Sequence, residues 1–461
     1  MPDGPRSIMT ALWGAGHAAY LVGGCVRDLL SGRAPADWDV GTDVRPDQLL
    51  GLFPAARYEN RYGTVGVEAD GSVHEVTTFR ADGVYRDHRR PDAVAFTDRL
   101  EADLARRDFT INAMALGRDP RRDDGAGIEL VDLHGGSDDL AAGLIRAVGD
   151  PAIRFTEDSL RLLRAARFAA QLGFTVEPDT KAAMAACAAL AARLSGERVH
   201  AEMGRLLAAP RPSTGLRLLE ETGVLAAIAP DLAFQRGIPQ AKIPGDDLWA
   251  HTCRTVDAVP AGLPRVRWAA LLHDIGKPAS FADGHFVGHE AVGAELAEAW
   301  LEALHAPRAD IERIARLIRQ HMFAYAPSWS DAAVRRFIRR VGPDAIDDLI
   351  ALRAGDNVGS GQSAGHDGLD ELARRCRDQL AARVALERGD LAVDGDDLAR
   401  IGIPPGPLMG RVLDGLLDRV IADPMLNDRA RLLELAREIV RQGGRDTRTE
   451  PGPAAGVEPG P

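Results

Sequence analysis

The stretch from Leu21 to Asp39 constrains the fold more than any other, because it joins a glycine pair to two carboxylates within one strand-turn-helix-strand unit. Residues 20–22 form a short apolar run, which is typical of a buried strand. Gly23 and Gly24 then allow a tight turn, and the first amides of the following helix would face it. A turn of this kind can hold a phosphate group.

A pair of carboxylates ends this unit. Asp37 and Asp39 lie beside Trp38 and Val40, and on an extended strand residues i and i+2 point to the same face. The two carboxylates repel each other at neutral pH unless a cation joins them, and hard oxygen ligands suit Mg²⁺ that also bridges substrate phosphates. A glycine pair alone is more often a structural loop, and a DxD alone is more often a solvated edge or a helix cap. Two carboxylates that share Mg²⁺ with substrate phosphates have the geometry of two-metal nucleotidyl transfer.

Length and charge indicate how many domains the chain forms and which partners it can bind. At 461 residues the chain is too long for a single core, so several domains are expected. The net charge of −12 taken alone argues against a nucleic-acid partner. The charges are segregated, however, and basic surfaces are predicted where arginines cluster: Arg154, Arg161, Arg164 and Arg167 in one group, and Arg335, Arg336, Arg339 and Arg340 in another.

Cysteine usage and hydropathy predict the compartment. The four cysteines show no CxxC spacing, and the chain opens without a signal-peptide pattern. We therefore expect reduced thiols and a cytoplasmic protein. No apolar run approaches the roughly 20 residues that are needed to cross a bilayer, so the sequence predicts no membrane span.

A third carboxylate is expected on a β-hairpin. Two strand-like runs flank Asp70-Gly71, which is a typical hairpin turn. On the second run Glu75 would share a face with Val73 and Phe79, and a carboxylate among apolar neighbours needs a partner. We therefore predict Glu75 as a third carboxylate of the metal site. The alternative is a glutamate on an edge strand that faces water.

A loop and then a charged motif follow the hairpin. From Asp82 to Asp98 the chain mixes Gly, Pro, Asp and Arg without an apolar period, which predicts a mobile loop. Its arginines, Arg86, Arg89 and Arg90, would contact phosphate. The segment from Leu104 to Leu116 has the pattern of an amphipathic helix and contains the string RRDFTINAMA. The ordinary interpretation of such a string is a solvated helix face.

The glycine turn, the DxD pair and RRDFTINAMA together resemble the class II tRNA nucleotidyltransferase and bacterial poly(A) polymerase family, within the superfamily that includes DNA polymerase β. The resemblance implies that Arg107, Asp108 and Asn112 contact the triphosphate and the ribose hydroxyl of the incoming nucleotide. Arginine matches phosphate in a bidentate manner, and Asp or Asn can bind a sugar hydroxyl. The resemblance also implies nucleotide contacts from the turn and the helix after it: Gly23, Gly24 and Arg27.

A second motif lies in a predicted helix between Asp150 and Glu177, with Thr156 as the expected N-cap and Gly173 at the C-terminus. Charged residues form one face of this helix, and ion pairs along a solvated face are its ordinary explanation. The string EDSLR in this face resembles the EDxxR motif of the same family. The resemblance makes four residues of the face nucleotide-binding: Asp158, Arg161, Arg164 and Arg167.

In that motif the Asp and the Arg pair with the Watson-Crick edge of the incoming base. A carboxylate accepts a hydrogen bond from the exocyclic amine that cytosine and adenine share, and the Arg donates to the ring nitrogen, so CTP and ATP would be preferred over UTP and GTP. The segment from Arg198 to Glu202 resembles the next motif of the family, which braces this helix.

Histidines gather in a mostly helical region further along the chain. The string LLHDIGKP, followed by GHE and LIRQHM, resembles the HD phosphohydrolase superfamily, in which imidazoles and carboxylates around an open divalent site activate water. A nitrogen-rich set of ligands favours Mn²⁺, Ni²⁺ or Co²⁺ over Mg²⁺. The resemblance implies His251, His273, Asp274 and Asp356 as core ligands, with His289 and His321 available for a second metal.

The predicted fold class is therefore multidomain α/β plus all-α, with a polymerase β-like head that combines a mixed sheet with helices, a helical neck and body, and a helical HD domain. The expected boundaries are 1–150 for the head, 151–240 for the neck and body, 241–375 for the HD domain, 376–442 for a C-terminal helical region and 443–461 for a disordered tail.

The predicted activity is template-independent addition of CCA to tRNA 3′ ends from CTP and ATP, with Mg²⁺ at the head and a second, phosphohydrolase activity in the HD domain. A poly(A) polymerase, or an enzyme that adds only CC or only A, shares every motif above. A rival of another class is an HD phosphohydrolase whose head only binds RNA. The sequence does not indicate whether the protein is a monomer or an oligomer.

Overall fold

The computed structural model describes residues 1–60, 63–81, 95–122, 127–240, 242–282 and 285–446. The chain divides into two compact units, Met1–Ile318 and Arg319–Pro461. Among the described residues, no helix is both long and apolar enough to cross a membrane. Most of the loop predicted from Asp82 to Asp98, including its three arginines, lies outside the described residues.

The first unit begins with a mixed β-sheet. The strands of this region span Ala19–Val22 (β1), Val40–Thr42 (β2), Arg57–Asn60 (β3), Thr64–Ala69 (β4), Ser72–Thr78 (β5), Arg80–Ala81 (β6), Ala95–Phe96 (β7), Met114–Arg118 (β8) and Glu129–Asp132 (β9). The sheet has the order β3-β4-β5-β2-β1-β8-β9 in the described part of the chain, while β6 and β7 pair separately. Strands β2 and β5 are parallel and the other neighbours in the sheet are antiparallel.

Helices cover both faces of this sheet. They span Asp3–Gly14 (α1), Gly24–Leu30 (α2), Pro46–Leu52 (α3), Leu100–Ala105 (α4) and Gly136–Ala142 (α5). On one face the apolar stripe of α1, with Ile8 and Leu12, packs into a core with Val65 and Val76. Alternation along each strand puts the next residues on the opposite face, where a second apolar cluster includes Leu104 of α4. The predicted mixed sheet with helices is confirmed.

Two local predictions in the head are wrong. Asp37 and Asp39 precede the strand, because β2 starts only at Val40. The predicted helix from Leu104 to Leu116 ends at Ala105, and a single 3₁₀ turn and strand β8 replace the rest. Every residue from Asp108 to Ala115 is buried, so this segment has no solvent face and the amphipathic interpretation fails.

The remainder of the first unit is mainly helical, with short strands at Leu144–Ile145 (β10), Thr175–Val176 (β11), Phe281–Ala282 (β12) and His285–Phe286 (β13). Its helices span Pro151–Glu157 (α6), Leu160–Leu172 (α7), Pro178–Ala186 (α8), Gly196–Leu207 (α9), Pro212–Glu221 (α10), Val224–Ile228 (α11), Pro230–Ala233 (α12), Leu248–Ala258 (α13), Pro264–Leu272 (α14), Lys277–Ser280 (α15), His289–Ala303 (α16) and Arg308–Gln320 (α17).

The helix predicted between Asp150 and Glu177 is in fact two helices, α6 and α7. The side chain of Asp150, not Thr156, caps the first by accepting from two backbone amides, and Pro151 occupies its first position. Asp158 has an extended backbone between the two helices, and Gly173 ends α7 in the left-handed conformation as expected.

Helix α9 is held at both ends by residues from beyond position 260. At its N-terminus a Cβ on Gly196 would collide with the carbonyl oxygen of Ala303 in α16. At its C-terminus the guanidinium of Arg267 in α14, which is 3% exposed, donates to the carbonyls of Leu207 and Ala209. These carbonyls have no intrahelical partner, so the arginine acts as a cap.

The second unit is helical, with helices at Asp331–Val341 (α18), Ile346–Gly359 (α19), Leu369–Ala381 (α20), Gly395–Arg400 (α21), Pro407–Ala422 (α22) and Arg429–Asp446 (α23). The apolar stripe of α22, with Val412, Leu416 and Val420, forms the centre of its apolar core. Helix α23 continues to Asp446, past the predicted boundary at residue 443, and residues 447–461 lie outside the described part of the chain.

Candidate nucleotide site and histidine cluster

A cleft of about 620 Å³ separates the head sheet from helix α7 and gathers most of the predicted nucleotide-binding residues. Eight arginines and five carboxylates line it among the residues that the structure describes, so a basic surface exists on an acidic chain. These lining residues include Gly23, Gly24, Arg27, Asp39, Glu75, Arg80, Asp103, Arg106, Arg107, Asp108, Asn112, Asp158, Arg161, Arg164, Arg167, Phe168 and Arg198.

The glycine turn closes one side of the cleft. Gly23 has φ 77° and ψ −136°, which residues with a side chain avoid. A Cβ at this position would lie 2.9 Å from Nη1 of Arg107 and 3.9 Å from Oδ2 of Asp39. Glycine is therefore required both for the backbone conformation and for the close approach of a guanidinium and a carboxylate to the turn.

Of the three carboxylates predicted to bind metal, Asp39 lies beside this turn. Burial raises the pKa of Asp39, the nearby Arg107 opposes the rise, and the negative charge of Asp37 adds to it. Asp37 itself is exposed, and Glu75 lines the cleft from strand β5. A half-buried carboxylate that a second carboxylate destabilises, with a third in the same cleft, is a donor set of oxygens that fits a divalent cation.

Asp103 positions two of the arginines. It is 3% exposed, and it accepts from Nη2 of Arg106 at 2.6 Å and from Nη2 of Arg107 at 3.0 Å. Burial alone would raise its pKa, but the two guanidiniums lower that pKa to about 2. The carboxylate also accepts from the backbone amide of Arg80 at 3.1 Å. Helix α4 therefore fixes the arginine that contacts the glycine turn.

Asp108, Asn112, Arg27 and Arg164 form one continuous polar chain. Nη1 of Arg27 donates to Oδ1 of Asn112 at 2.8 Å, and Nδ2 of Asn112 donates to Oδ1 of Asp108 at 3.3 Å. Nε and Nη2 of Arg164 then contact Oδ2 of Asp108 at 2.7 and 2.6 Å. Burial would raise the pKa of Asp108, yet Arg164 lowers it to about 2. The chain joins helix α2 of the head to helix α7.

Asp158 and Arg161 both line the cleft, but their side chains are engaged by different partners. Both carboxylate oxygens of Asp158 accept from Nη2 of Arg198 at 2.9 Å. Nη1 of Arg161 donates to Oε2 of Glu157 at 3.0 Å, and its Nη2 donates to the backbone carbonyl of Arg106 at 2.8 Å. A base could pair with these groups only after some of the contacts are exchanged.

The segment from Arg198 to Glu202 braces α7, as expected. Arg198 holds Asp158, and Glu202, which is 2% exposed, accepts from Nε of Arg167 at 2.6 Å. Since both partners project from α9, the orientation of the charged face of α7 depends on that helix.

A second constellation lies in the same unit, where α13, α14 and α16 meet. His251, His273, Asp274 and His289 are all buried here. Nε2 of His251 and Nε2 of His273 are 3.0 Å apart, and Nε2 of His273 lies 3.1 Å from Oδ2 of Asp274. Nε2 of His289 lies 3.4 Å from Oδ1 of the same aspartate. The ligand atoms of the first three residues fall within 4.8 Å of one another, which fits a metal ion.

The second ring nitrogens fix the tautomers of two of these histidines. Nδ1 of His273 is 2.9 Å from the carbonyl of Ala270, and Nδ1 of His289 is 2.8 Å from the carbonyl of Phe286. A carbonyl only accepts hydrogen bonds, so each Nδ1 carries a proton and each Nε2 is the nitrogen that faces the cluster. Backbone carbonyls commonly orient metal-binding imidazoles in this way.

Asp274 is also paired with Lys277, whose Nζ donates to Oδ2 at 2.7 Å. Burial would raise the pKa of Asp274, but His273 and the lysine hold it well below the ordinary value. Helix α16 approaches this turn so closely that a Cβ on Gly276 would collide with the carbonyl of His289. Glycine is thus needed between the aspartate and the lysine for the two histidine-bearing segments to meet.

The remaining two histidine-cluster candidates belong to the second unit. His321 is 2% exposed, directly after α17, and Asp356 is 5% exposed on α19. Within that unit, Oδ2 of Asp356 accepts from Nη1 of Arg353 at 3.1 Å. Their part in a metal site stays a prediction.

Sequence reasoning missed three residues of the two sites. Asp103 could have been found from its spacing of three and four residues to Arg106 and Arg107 at a helix end. Lys277 stands three residues after Asp274 in the HD motif, but a lysine there gave no signal of burial. Phe168 has only the spacing of an apolar helix position, which predicts burial in a core and no contact with arginines.

Three family models match successive parts of the chain. Residues 19–146 match the "Poly A polymerase head domain", residues 173–235 match the "Probable RNA and SrmB- binding site of polymerase A", and residues 253–357 match the "HD domain". The first match contains the glycine turn of the cleft, and the third contains His273, Asp274 and His289 of the histidine cluster.

Whole-length relatives decide the family. The chain is 35% identical over 420 residues to the CCA-adding enzyme of Geobacillus thermodenitrificans, covering 90% of this chain and 92% of the relative. The family of this protein is that of the CCA-adding enzymes. The CCA-adding enzyme of Limosilactobacillus fermentum is 33% identical over 439 residues, covering 95% of this chain and 96% of the relative.

Solved structures of CCA-adding enzymes share the fold. The crystal structure of the Bacillus stearothermophilus CCA-adding enzyme in complex with CTP matches with a TM-score of 0.73 and 29% identity, over 97% of this chain and all of that one. The Thermotoga maritima CCA-adding enzyme complexed with tRNA matches with a TM-score of 0.58 at 19% identity, over 94% of each chain, which concerns the fold alone.

Proposed function

We propose that this protein adds CCA to tRNA 3′ ends, using CTP and ATP without a nucleic-acid template. The proposal rests mainly on the cleft. A glycine turn, five carboxylates and eight arginines line it among the described residues. Its membership of the CCA-adding family and its likeness to a relative solved with CTP support the choice of substrates.

The reaction needs a tRNA 3′-hydroxyl to attack the α-phosphorus of the nucleotide, with release of pyrophosphate. Asp37, Asp39 and Glu75 would hold Mg²⁺, which when bound neutralises phosphate charge and lowers the pKa of the attacking hydroxyl. The side chain of Arg107, fixed by Asp103 beside the glycine turn, binds the triphosphate. Asp108 and Asn112 contact the ribose.

Base selection is assigned to Asp158 and Arg161. Arg198 holds the Asp158 carboxylate toward the cleft, and Arg161 is held through the Arg106 carbonyl. Arg164 and Arg167 add positive charge on the same face of α7. The proposed domains follow the sequence boundaries: head 1–150, neck and body 151–240, HD domain 241–375, C-terminal helical region 376–442 and tail 443–461.

One experiment tests this function against its rivals. Purified protein is incubated with tRNA that ends before CCA and with each nucleotide singly and in combination, and the products are sequenced. CCA addition is expected. Addition of only CC or only A, or of a long A tail, would assign the chain to a rival activity, and no incorporation would favour an RNA-binding head on a phosphohydrolase.

We propose a second activity at the histidine cluster, metal-dependent hydrolysis of a phosphoester such as a 2′,3′-cyclic phosphate or a terminal phosphate on RNA. The buried imidazole nitrogens, with their proton-bearing Nδ1 atoms turned to carbonyls, favour a transition metal. His251, His273 and Asp274 would hold it, together with His289, His321 and Asp356. Metal analysis and a phosphodiesterase screen with Mn²⁺, Ni²⁺ and Co²⁺ test the proposal.

A further inference from the structure

An aromatic ring lies among the charged residues of the cleft. Phe168 is 5% exposed, on helix α7. The guanidinium carbons of Arg167, Arg164 and Arg27 lie 4.1, 5.3 and 5.4 Å from the centre of its ring. All three are within the distance at which a cation is attracted to an aromatic face. Phe109 is a further neighbour, and its ring packs edge-on with its centre 5.8 Å from the centre of the Phe168 ring.

Two of these arginines are the ends of the polar chain described above. Arg27 donates to Asn112, Asn112 donates to Asp108, and Asp108 accepts from Arg164. Since Arg27 and Arg164 both lie against Phe168, the ring joins the two ends and the chain of contacts becomes a closed circuit.

Two of these contacts connect the head with helix α7: the ion pair of Arg164 with Asp108 and the cation–π contact of Arg27 with the ring. Without the ring, Arg27 keeps its neighbour Asp28 at 2.8 Å but loses the surface that holds it toward Asn112. The like charges of Arg27 and Arg164 would also no longer share an attractive partner.

We propose that Phe168 is a positioning residue for sugar selection, because it holds the two arginines that orient Asn112 and Asp108. This inference rests on the proposed function, in which those two side chains contact the ribose. Phe168 touches no substrate in this scheme. It acts through the direction in which the amide and the carboxylate present their hydrogen-bonding atoms.

Base selection should not depend on the ring. Asp158 is held by Arg198, and Arg161 is held by Glu157 and a backbone carbonyl, so neither belongs to the circuit. Loss of the ring should therefore change the preference for ribose over deoxyribose and leave the preference for CTP over UTP unchanged. A merely structural role would lower the rate with every nucleotide alike.

The test compares Phe168→Leu with Phe168→Tyr on tRNA that ends before CCA, using CTP, dCTP and UTP separately. Phe168→Leu keeps apolar volume but removes the aromatic face, so the ratio of kcat/KM for CTP to that for dCTP is expected to fall about tenfold. Phe168→Tyr keeps the face and should restore the ratio to within about twofold. The CTP to UTP ratio should stay within about twofold in both variants.

Phe155→Leu is the matched control, because Phe155 is fully buried in α6 and belongs to neither site. Equal loss of sugar preference in this control, an unchanged ratio in Phe168→Leu, or no recovery in Phe168→Tyr would each overturn the inference. Should Phe168→Leu fail to fold, Phe168→Met provides the same comparison. Wild-type protein that incorporates no nucleotide would instead overturn the proposed function.

Discussion

The cleft and the histidine cluster lie in one compact unit, yet their side chains are held in opposite ways. In the cleft most carboxylates are already satisfied by arginines, as Asp103 and Asp108 are, and the residues around Asp39 stay half-open to solvent. In the cluster His251, His273, Asp274 and His289 are at most 4% exposed, and their ligand atoms converge on one another.

The difference indicates how each site meets its ligand. A half-open cleft lined by guanidiniums suits a large, flexible and highly charged substrate, because arginines can exchange a carboxylate partner for a phosphate. A buried group of imidazoles suits a small ion, and its geometry is fixed before any ligand arrives because backbone carbonyls hold the second ring nitrogens.

The strongest test of this contrast removes the oxygen ligands of the cleft. Asp37→Ala or Asp39→Ala should lower nucleotide incorporation on the order of a thousandfold, since several kcal/mol of charge stabilisation at the phosphates is lost. The circular dichroism spectrum should not change, because neither side chain lies in the apolar core. Asp47→Ala, an exposed carboxylate of α3, is the control. Near-normal incorporation by either cleft variant would contradict the metal assignment.

The complementary test removes the charge of one predicted ligand in the histidine cluster. Asp274→Asn keeps the shape of a buried side chain but removes its charge, so bound transition metal should disappear and phosphoester hydrolysis should fall about a hundredfold. Incorporation of CTP and ATP should stay within about threefold, because the cleft has its own ligands. Inductively coupled plasma analysis and the two activity assays check this. Hydrolysis that survives the substitution would show that the cluster is not its site.

A third test separates the base-reading part of the cleft from its phosphate-binding part. Asp158→Ala should relax discrimination against UTP and GTP by about 1–3 kcal/mol, because one hydrogen-bond acceptor for the exocyclic amine is lost. Competition between CTP and UTP on the same tRNA measures the ratio. Asp150→Ala, which removes only a helix cap, should slow all nucleotides alike. A uniform loss in Asp158→Ala as well would contradict base reading.

The smallest effect concerns acid stability of the cleft. The pKa of Asp108 is lowered to about 2 from its ordinary value of 3.8, so its stabilising ion pair is fully present above pH 3.8 and is lost as the pH falls toward 2. The contribution lost by pH 3 is about 1 kcal/mol. Urea unfolding of wild type and Asp108→Asn should therefore differ most at neutral pH and converge below pH 4. A constant difference across this range would exclude the ion pair as its cause.

Sequence patterns predicted the mixed sheet, its hairpin at Asp70-Gly71 and the end of α7 at Gly173, because these depend on local periodicity and turn residues. They failed where burial overrides periodicity. The segment from Asp108 to Ala115 has a helical pattern but is enclosed on all sides, and it forms a 3₁₀ turn over Thr110–Asn112 before it enters β8, which pairs with β1 and β9.

Partners across the fold were equally invisible to the sequence. The contact between Arg27 and Asn112 joins positions 85 residues apart, and that between Arg164 and Asp108 joins positions 56 apart. A charged helix face identified the arginines of α7 but not the carboxylates that neutralise them. The motifs could name candidate residues, whereas only the tertiary structure pairs Asp158 with Arg198 and places Phe168 beneath three guanidiniums.

The arginine cap on α9 has a consequence for how this chain can be divided. The carbonyls of Leu207 and Ala209 depend on Arg267, and Gly196 packs against Ala303, so both ends of the helix that carries Arg198 and Glu202 are completed by later residues. A truncation near residue 240 would expose these surfaces and leave the carbonyls without their cap. A transplant of the first 240 residues, which contain the proposed nucleotide-selecting side chains, into another enzyme should therefore include α14 and α16 as well.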